Sequence, residues 1–265
     1  MSRRLYIFLC LFFIGKFGFT QSTQGGRLSG MGNAGAAIKD VWAVAANPAV
    51  ITSLKRPSAQ INYENHFFIN ALSSQAFAFV LPKNNNSFGI NLQRYGISEY
   101  LTIKAGLITA KQFGKNLSIG LRTNYHQLKI TNYGAIIAFS LDVGTAYQFT
   151  DELVLGLYIN NPAREGNKIN FSIPTTIHLG ASYQTNAKIL VASTLVKELN
   201  EPLNIAFGID YQMINYFSLR SGLNLNPLKH HFGVGFNSLN FLLDVAFTKY
   251  THFNYSPQIS IGYVF

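Results

Sequence analysis

Ala135-Ile-Ile-Ala-Phe-Ser-Leu-Asp-Val-Gly-Thr-Ala-Tyr-Gln-Phe149 alternates along its whole length. Ile137, Phe139, Leu141, Val143, Tyr147 and Phe149 fall on one face; Ala138, Ser140, Asp142, Gly144, Ala146 and Gln148 fall on the other. A period of two is the mark of a β-strand, in which successive side chains point to opposite sides. The second face is small and polar, without the Lys and Glu of a strand that faces bulk water. The same theme recurs from residue 58 to the end. The alternation predicts fourteen segments, near 58–66, 73–82, 87–95, 100–110, 116–127, 135–149, 152–161, 175–185, 188–197, 203–212, 216–226, 230–237, 240–250 and 255–265. The ninth alternates least well. Tight turns follow the even-numbered segments, at Lys83–Asn86, Phe113–Lys115, Thr150–Asp151, Thr185–Ala187, Ile214–Asn215 and Ser238–Leu239. The longer connections, among them Leu128–Gly134 and Asn161–Pro174, follow odd-numbered ones. An even strand number, with short turns at one end and longer loops at the other, is the pattern of bacterial membrane barrels. The expected fold is therefore all-β: a 14-stranded antiparallel transmembrane β-barrel over residues 58–265.

Composition points the same way. Charged residues make up 12% of the 265 residues, about half the ~25% of soluble domains. Aromatic residues reach 14%, with 22 Phe and 14 Tyr. No stretch beyond residue 20 is apolar for the ~20 residues of a membrane helix. The isolated charges Glu64, Lys104, Arg122, Asp142, Asp210, Arg220 and Asp244 fall on the polar face. A Lys or Arg facing hydrocarbon at mid-depth would cost ~2–4 kcal/mol, and the apolar face avoids one there. The turn at 213–215 sets Asp210 opposite Arg220, close enough for a cross-strand ion pair. Arg122 and Asp142 are expected to lie diagonally on neighbouring strands. These lumen charges hold the interior together or meet a ligand carboxylate.

Residues 1–20 read as a signal peptide. Arg3 and Arg4 precede the short apolar run Leu5–Ile14, with cleavage expected near Thr20 or Gln21. The single cysteine, Cys10, lies within it. The mature chain would then have neither a disulfide nor a thiolate metal site. It would carry eighteen basic and eleven acidic residues, a balance of +7. These charges are scattered rather than clustered, which favours outer-membrane lipid or an acidic solute over nucleic acid. His66, His126, His178, His230, His231 and His252 lack metal-site spacing, and no serine motif accompanies them. No enzyme, catalytic residue, metal or cofactor is expected.

Residues 22–57 do not alternate. Gly30-Met-Gly32 lacks the strand, helix and acidic residue of a dinucleotide loop. Instead Ser29-Gly-Met-Gly-Asn-Ala-Gly-Ala-Ala37, Asn47-Pro-Ala-Val-Ile-Thr52 and Arg56-Pro57 resemble the N-terminal hatch of the FadL-type outer-membrane transporters. They also resemble the related PorV-type proteins of type IX secretion. The resemblance implies a fourteen-stranded barrel in the cell outer membrane, plugged by its own beginning. Gly30, Gly32, Trp42, Asn47, Pro48 and Ala49 would then belong to the hatch. A lumen of fourteen strands is too wide for side chains alone to fill, and Gly and Ala allow close backbone approach. The implied function is passage of small hydrophobic molecules, long-chain fatty acids or aromatic hydrocarbons. Lys104, Arg122 or Arg220 would attract a ligand carboxylate. The alternative is a PorV-like secretion or surface-assembly component, whose partners would be secretion-system subunits. Family transporters are much longer and build a capture site from extended outer loops; here only Asn161–Pro174 is long enough. They also release ligand through a kinked third strand, where Gly96 would permit a kink. The ending Ile259-Ser-Ile-Gly-Tyr-Val-Phe265 resembles the signal read by the outer-membrane assembly machinery, with Phe265 its last residue.

Overall fold

A computed structural model describes residues 24–163, 166–167, 171–199 and 201–265; the expected signal peptide lies outside them. Fourteen strands close into one antiparallel barrel. They are β1 (Ser58–Asn65), β2 (Ser73–Lys83), β3 (Asn86–Gly96), β4 (Tyr100–Phe113), β5 (Leu117–Ile130), β6 (Gly134–Gln148) and β7 (Leu153–Asn160). Then follow β8 (Thr176–Asn186), β9 (Ile189–Glu198), β10 (Asn204–Ile214), β11 (Phe217–Leu225), β12 (Leu228–Ser238), β13 (Phe241–Tyr250) and β14 (Tyr255–Val264). Each strand pairs with its sequence neighbours, and β1 closes the ring on β14 with Ile61 opposite Ile261. Closure gives every strand a partner on both sides, which removes the main hazard of an open sheet.

The alternation is realised around the ring. Ile61, Phe77 and Leu92 sit opposite one another on the outer face, and Gln60, Ala78 and Asn91 form the inward row beside them. Leu107, Phe139, Phe207 and Phe247 are exposed outside, whereas Ala78, Asn91, Ala192 and Ala246 are buried inside. Even the weakly alternating ninth segment follows this rule. β9 pairs fully with β8 and β10, turning Ala192 and Thr194 inward and Val191 and Leu195 outward. No helix among the described residues is long and apolar enough to cross a membrane.

One expectation needs correction. Arg122 and Asp142 are directly opposite in the β5–β6 register, not diagonal. The β5–β6 hairpin pairs Ile130 with Gly134, so its loop is shorter than the sequence suggested and the register shifts accordingly.

The third strand also differs from the kinked strand that the resemblance implied. β3 pairs without a register shift to β2, from Asn86 through Tyr95, and to β4, from Asn86 through Gly96. Gly96 (φ +94°) closes the strand where a side chain would strike the Tyr100 carbonyl. It is a turn glycine, required by its left-handed backbone.

Residues 24–54 lie within the ring. A short helix α1 (Gly25–Gly30) is followed by 3-10 turns at Val41–Val44 and Pro48–Ser53. Asp40 caps the first turn, accepting from the Trp42 N–H at 2.9 Å, and Asn47 caps the second, accepting from Ala49 N–H at 3.1 Å. Pro48 occupies the first position of that turn, where no backbone donor is needed. Asn47-Pro48 therefore starts a turn for the local reasons the sequence suggests.

Candidate functional site

The candidate site is the contact between this internal segment and the barrel wall. Two kinds of contact define it. On the side of β2–β4 the contact is apolar. Trp42, Val44, Val50 and Ile51 are buried in one cluster with Ala76, Ala78, Val80, Ile108 and Ala110 of the wall. Full burial of a large apolar side chain is worth ~1.5–3 kcal/mol relative to water, so this seam dominates the segment's attachment there. Gly89 admits Val44 to the wall: a Cβ added at Gly89 would lie 2.9 Å from Val44 Cγ1.

Elsewhere Ala146, Ala192 and Ala206 continue the apolar contact, and hydrogen bonds give it direction. Gly26 N–H donates to Ser260 Oγ at 2.7 Å and Trp42 Nε1 to Gln60 Oε1 at 2.6 Å. Asn47 Nδ2 donates to the carbonyls of Ala36 and Thr145 at 2.8 and 2.9 Å. Ser182 Oγ donates to the Ala37 carbonyl at 2.8 Å, and Asn224 Nδ2 to that of Gly32 at 3.0 Å. The bonds to Gly26, Ala36, Ala37 and Gly32 satisfy backbone groups that irregular chain would otherwise bury unpaired.

The charges form two networks. Arg122 is fully buried; its Nε meets Asp142 Oδ2 at 2.8 Å and its Nη1 donates to the Val44 carbonyl at 2.5 Å. Asp142 also accepts from Asn124 Nδ2 at 2.7 Å and the Asn161 N–H at 2.9 Å. In the second network Arg220 lies between Asp210 (3.2 Å) and Asp244 (2.5 Å). Arg27 of the internal segment joins Asp210 to Asp40, each at 3.0 Å. Arg122 and Arg220 are thus engaged by carboxylates. Lys104 faces inward, half-buried, in register with Gln93 and His126. Nearby, Tyr158 and His178 stack with ring centres 4.0 Å apart.

Gly30, Gly32, Trp42, Asn47, Pro48 and Ala49 all lie in the buried segment. Sequence reasoning missed three features. Arg27 and Asp40 had no local pattern to betray them. A row of inward glycines, including Gly120, Gly144, Gly156, Gly208 and Gly222, marks where the segment's backbone touches the wall. Its signal was available: glycine recurs at the polar-face position of strand after strand. The third is at the end of the longer loops. There Phe67 packs on Tyr250 and Phe253, both at 4.9 Å between ring centres. Phe68, Ile69 and Phe253 remain exposed. The β1–β2 and β13–β14 connections therefore join in an aromatic cluster at this end, and Ile97, Tyr133 and Leu199 add exposed apolar surface from other connections. Of the loop Asn161–Pro174, which was expected to contribute, residues 164–165 and 168–170 lie outside the described residues.

At Gly156 a methyl group would overlap the Ala36 carbonyl. Gly156→Val is expected to displace that stretch of the segment and leave the outer face of the barrel unchanged. Limited proteolysis checks this: cleavage within residues 33–47 should rise at least tenfold, and cleavage at wild-type rate would refute it.

No protein-family model matches the sequence, and no curated protein does. Solved structures do match. The Ralstonia pickettii toluene transporter TbuX superposes with a TM-score of 0.71 at 14% identity, covering 93% of this chain and 100% of that one. The fold is that of the FadL-type hydrophobic-compound transporters. CymD, a monoaromatic hydrocarbon channel, shares the FadL-type fold with a TM-score of 0.68 at 13% identity, covering 91% and 97% of the two chains. A Pseudomonas aeruginosa FadL homologue gives 0.65 at 12% identity, with 89% and 97% covered. Two of these neighbours are a toluene transporter and a monoaromatic hydrocarbon channel. Among the described residues no three His, Cys, Asp or Glu side chains are grouped to hold a metal.

Proposed function

We propose that this chain is an outer-membrane barrel through which small hydrophobic molecules pass, with residues 24–54 as its hatch. The observation that carries the reading is the apolar seam between Trp42, Val44 and the β2–β4 wall, where the largest apolar side chains of the segment are buried. The segment is held by directional bonds on its other sides. A shift that parts the seam would break few hydrogen bonds and would open a path lined by apolar side chains. The similar structures, titled as toluene transporter and monoaromatic hydrocarbon channel, support a hydrophobic cargo. The secretion-assembly alternative has no counterpart among the solved structures described above.

Membrane embedding rests on the outer face. Its strand centres are apolar, and aromatic pairs ring the tight-turn end: Phe241–Tyr263 and Tyr263–Phe265 with centres 5.0 Å apart, and Tyr216–Phe236 at 6.0 Å. Aromatic girdles at the membrane interfaces are a property of such barrels. The tight-turn end would face the periplasm and the loop end the outside. Phe67, Phe68 and Phe253 would then receive the cargo, with Lys104 an inward cation outside both charge networks. Phe265 on the closing strand would serve as the assembly signal.

The test is uptake in a Gram-negative host stripped of its own hydrophobic-compound channels. The full-length chain should raise toluene uptake at least fivefold without admitting a hydrophilic sugar. Deleting residues 25–53 should open the barrel to the sugar. No rise in uptake of toluene or of a long-chain fatty acid would reject the transport reading.

A further inference from the structure

The outer wall carries a concave feature of its own. An apolar groove of about 600 Å³ crosses β14, β1, β2 and β3, between the side chains of Ile261, Ile61, Phe77 and Leu92 and the row beside them. Its size falls within the range of ligand pockets, ~300–1,000 Å³. Its floor is backbone, since Asn62, Ala76 and Gln93 turn their side chains inward. Toward the loop end it is bounded by two exposed polar side chains, Gln75 and Arg94, which sit opposite each other in the register.

Charge on the outer face is one-sided. The carboxylates of the strands, Glu64, Asp142, Glu198, Asp210 and Asp244, all occupy inward rows. The outward rows carry cations near the loop end: Arg94, Lys129, Lys197 and Lys249. Arg94 has no hydrogen bond or ion pair among the described residues. Lys129 lies two strands away and two residues further along, about 12 Å by strand geometry. An unpaired guanidinium facing hydrocarbon is a cost that is largest at mid-depth and falls toward the interface. A phosphate at that level converts the cost into charge-assisted hydrogen bonds.

We propose that this groove is a binding site for an outer-leaflet lipid, its acyl chains lying between Ile61, Phe77 and Leu92 and its phosphorylated head group held by Arg94 and Lys129. The chemistry that fits is a multiply acylated glycolipid with two phosphates, as in lipid A. This rests on the reading of the barrel as membrane-spanning with its loop end outside. It does not depend on what passes through the lumen.

The test uses the full-length mature barrel refolded in neutral detergent and titrated with lipid A, read by native mass spectrometry. One lipid A per barrel is expected. Arg94→Glu with Lys129→Glu should weaken binding at least tenfold, and so should removal of both phosphates from lipid A. Both substitutions face outward, and heat-dependent gel mobility checks that the barrel is folded. Equal binding by the folded double variant would overturn the site, as would equal binding of dephosphorylated lipid A. Displacement of lipid A by toluene would also overturn it, marking the groove as part of the cargo path. If toluene uptake fails in cells while lipid A binding follows the expected pattern, the transport reading falls and the lipid site stands.

Discussion

Joining Val44→Cys to Gly89→Cys by a disulfide is expected to stop hydrophobic passage, and dithiothreitol to restore it. The pair sits where the hatch meets β3. A Cβ at Gly89 would lie 2.9 Å from Val44 Cγ1, so cysteines at both positions approach the ~3.5–4.5 Å Cβ separation of a disulfide. Val44→Cys also replaces the γ-methyl that would otherwise crowd the new side chain. The only native cysteine, Cys10, lies in the expected signal peptide and would leave no competing thiol. The bond fixes the apolar seam shut without altering either charge network. Toluene uptake by oxidised cells should fall at least tenfold and should return to the level of the reduced variant after dithiothreitol. A fully oxidised pair, verified by electrophoretic mobility, that still passes toluene at the wild-type rate would mean that the seam need not open. The proposed path would then be wrong.

How much of this was legible in advance depends on the range of the interactions. Strands announce themselves locally, because a wall between two media imposes a period of two on each segment. Even the Asp210–Arg220 pair followed from a tight turn, and the two residues are opposed in the β10–β11 register. The Arg122–Asp142 register was misjudged because it turns on where one hairpin loop begins. The internal segment is different. It has no period, since each of its residues answers to a different strand. Arg27 meets Asp210 across 183 positions of sequence, and Gly26 meets Ser260 across 234. Nothing near Arg27 or Asp40 in sequence distinguishes them from surface charges. The inward glycines lay between these extremes. Their spacing was visible, but their purpose appears only when the segment's backbone is seen against them. The third strand shows the limit of resemblance: a glycine at its end suited a kink, yet its left-handed backbone serves a turn and the ladders on both sides are unbroken.

The largest expected effect on stability belongs to the Arg122–Asp142 pair. The Arg122 guanidinium is fully buried, bonded to Asp142 and to the Val44 carbonyl. Removing one member of a buried pair leaves the other charged and unsolvated, at a cost of ~3–5 kcal/mol. Arg122→Leu is therefore expected to destabilise the folded barrel by about that amount, measured by urea unfolding in lipid vesicles. Asp142→Leu should cost at least as much, because Asn124 and the Asn161 N–H lose their acceptor as well. Arg122→Leu combined with Asp142→Leu should be less destabilising than the sum of the two, since no charge is then stranded. A positive coupling of ~1–3 kcal/mol is the expected size for neighbours that share a network. The two single changes should also differ in kind. Only Arg122→Leu frees the Val44 carbonyl, so only it should raise proteolysis of the hatch near residue 44 before the barrel unfolds. Strict additivity of the two substitutions would show that the pair is not a unit. Arg122 would then act through its bond to the hatch alone.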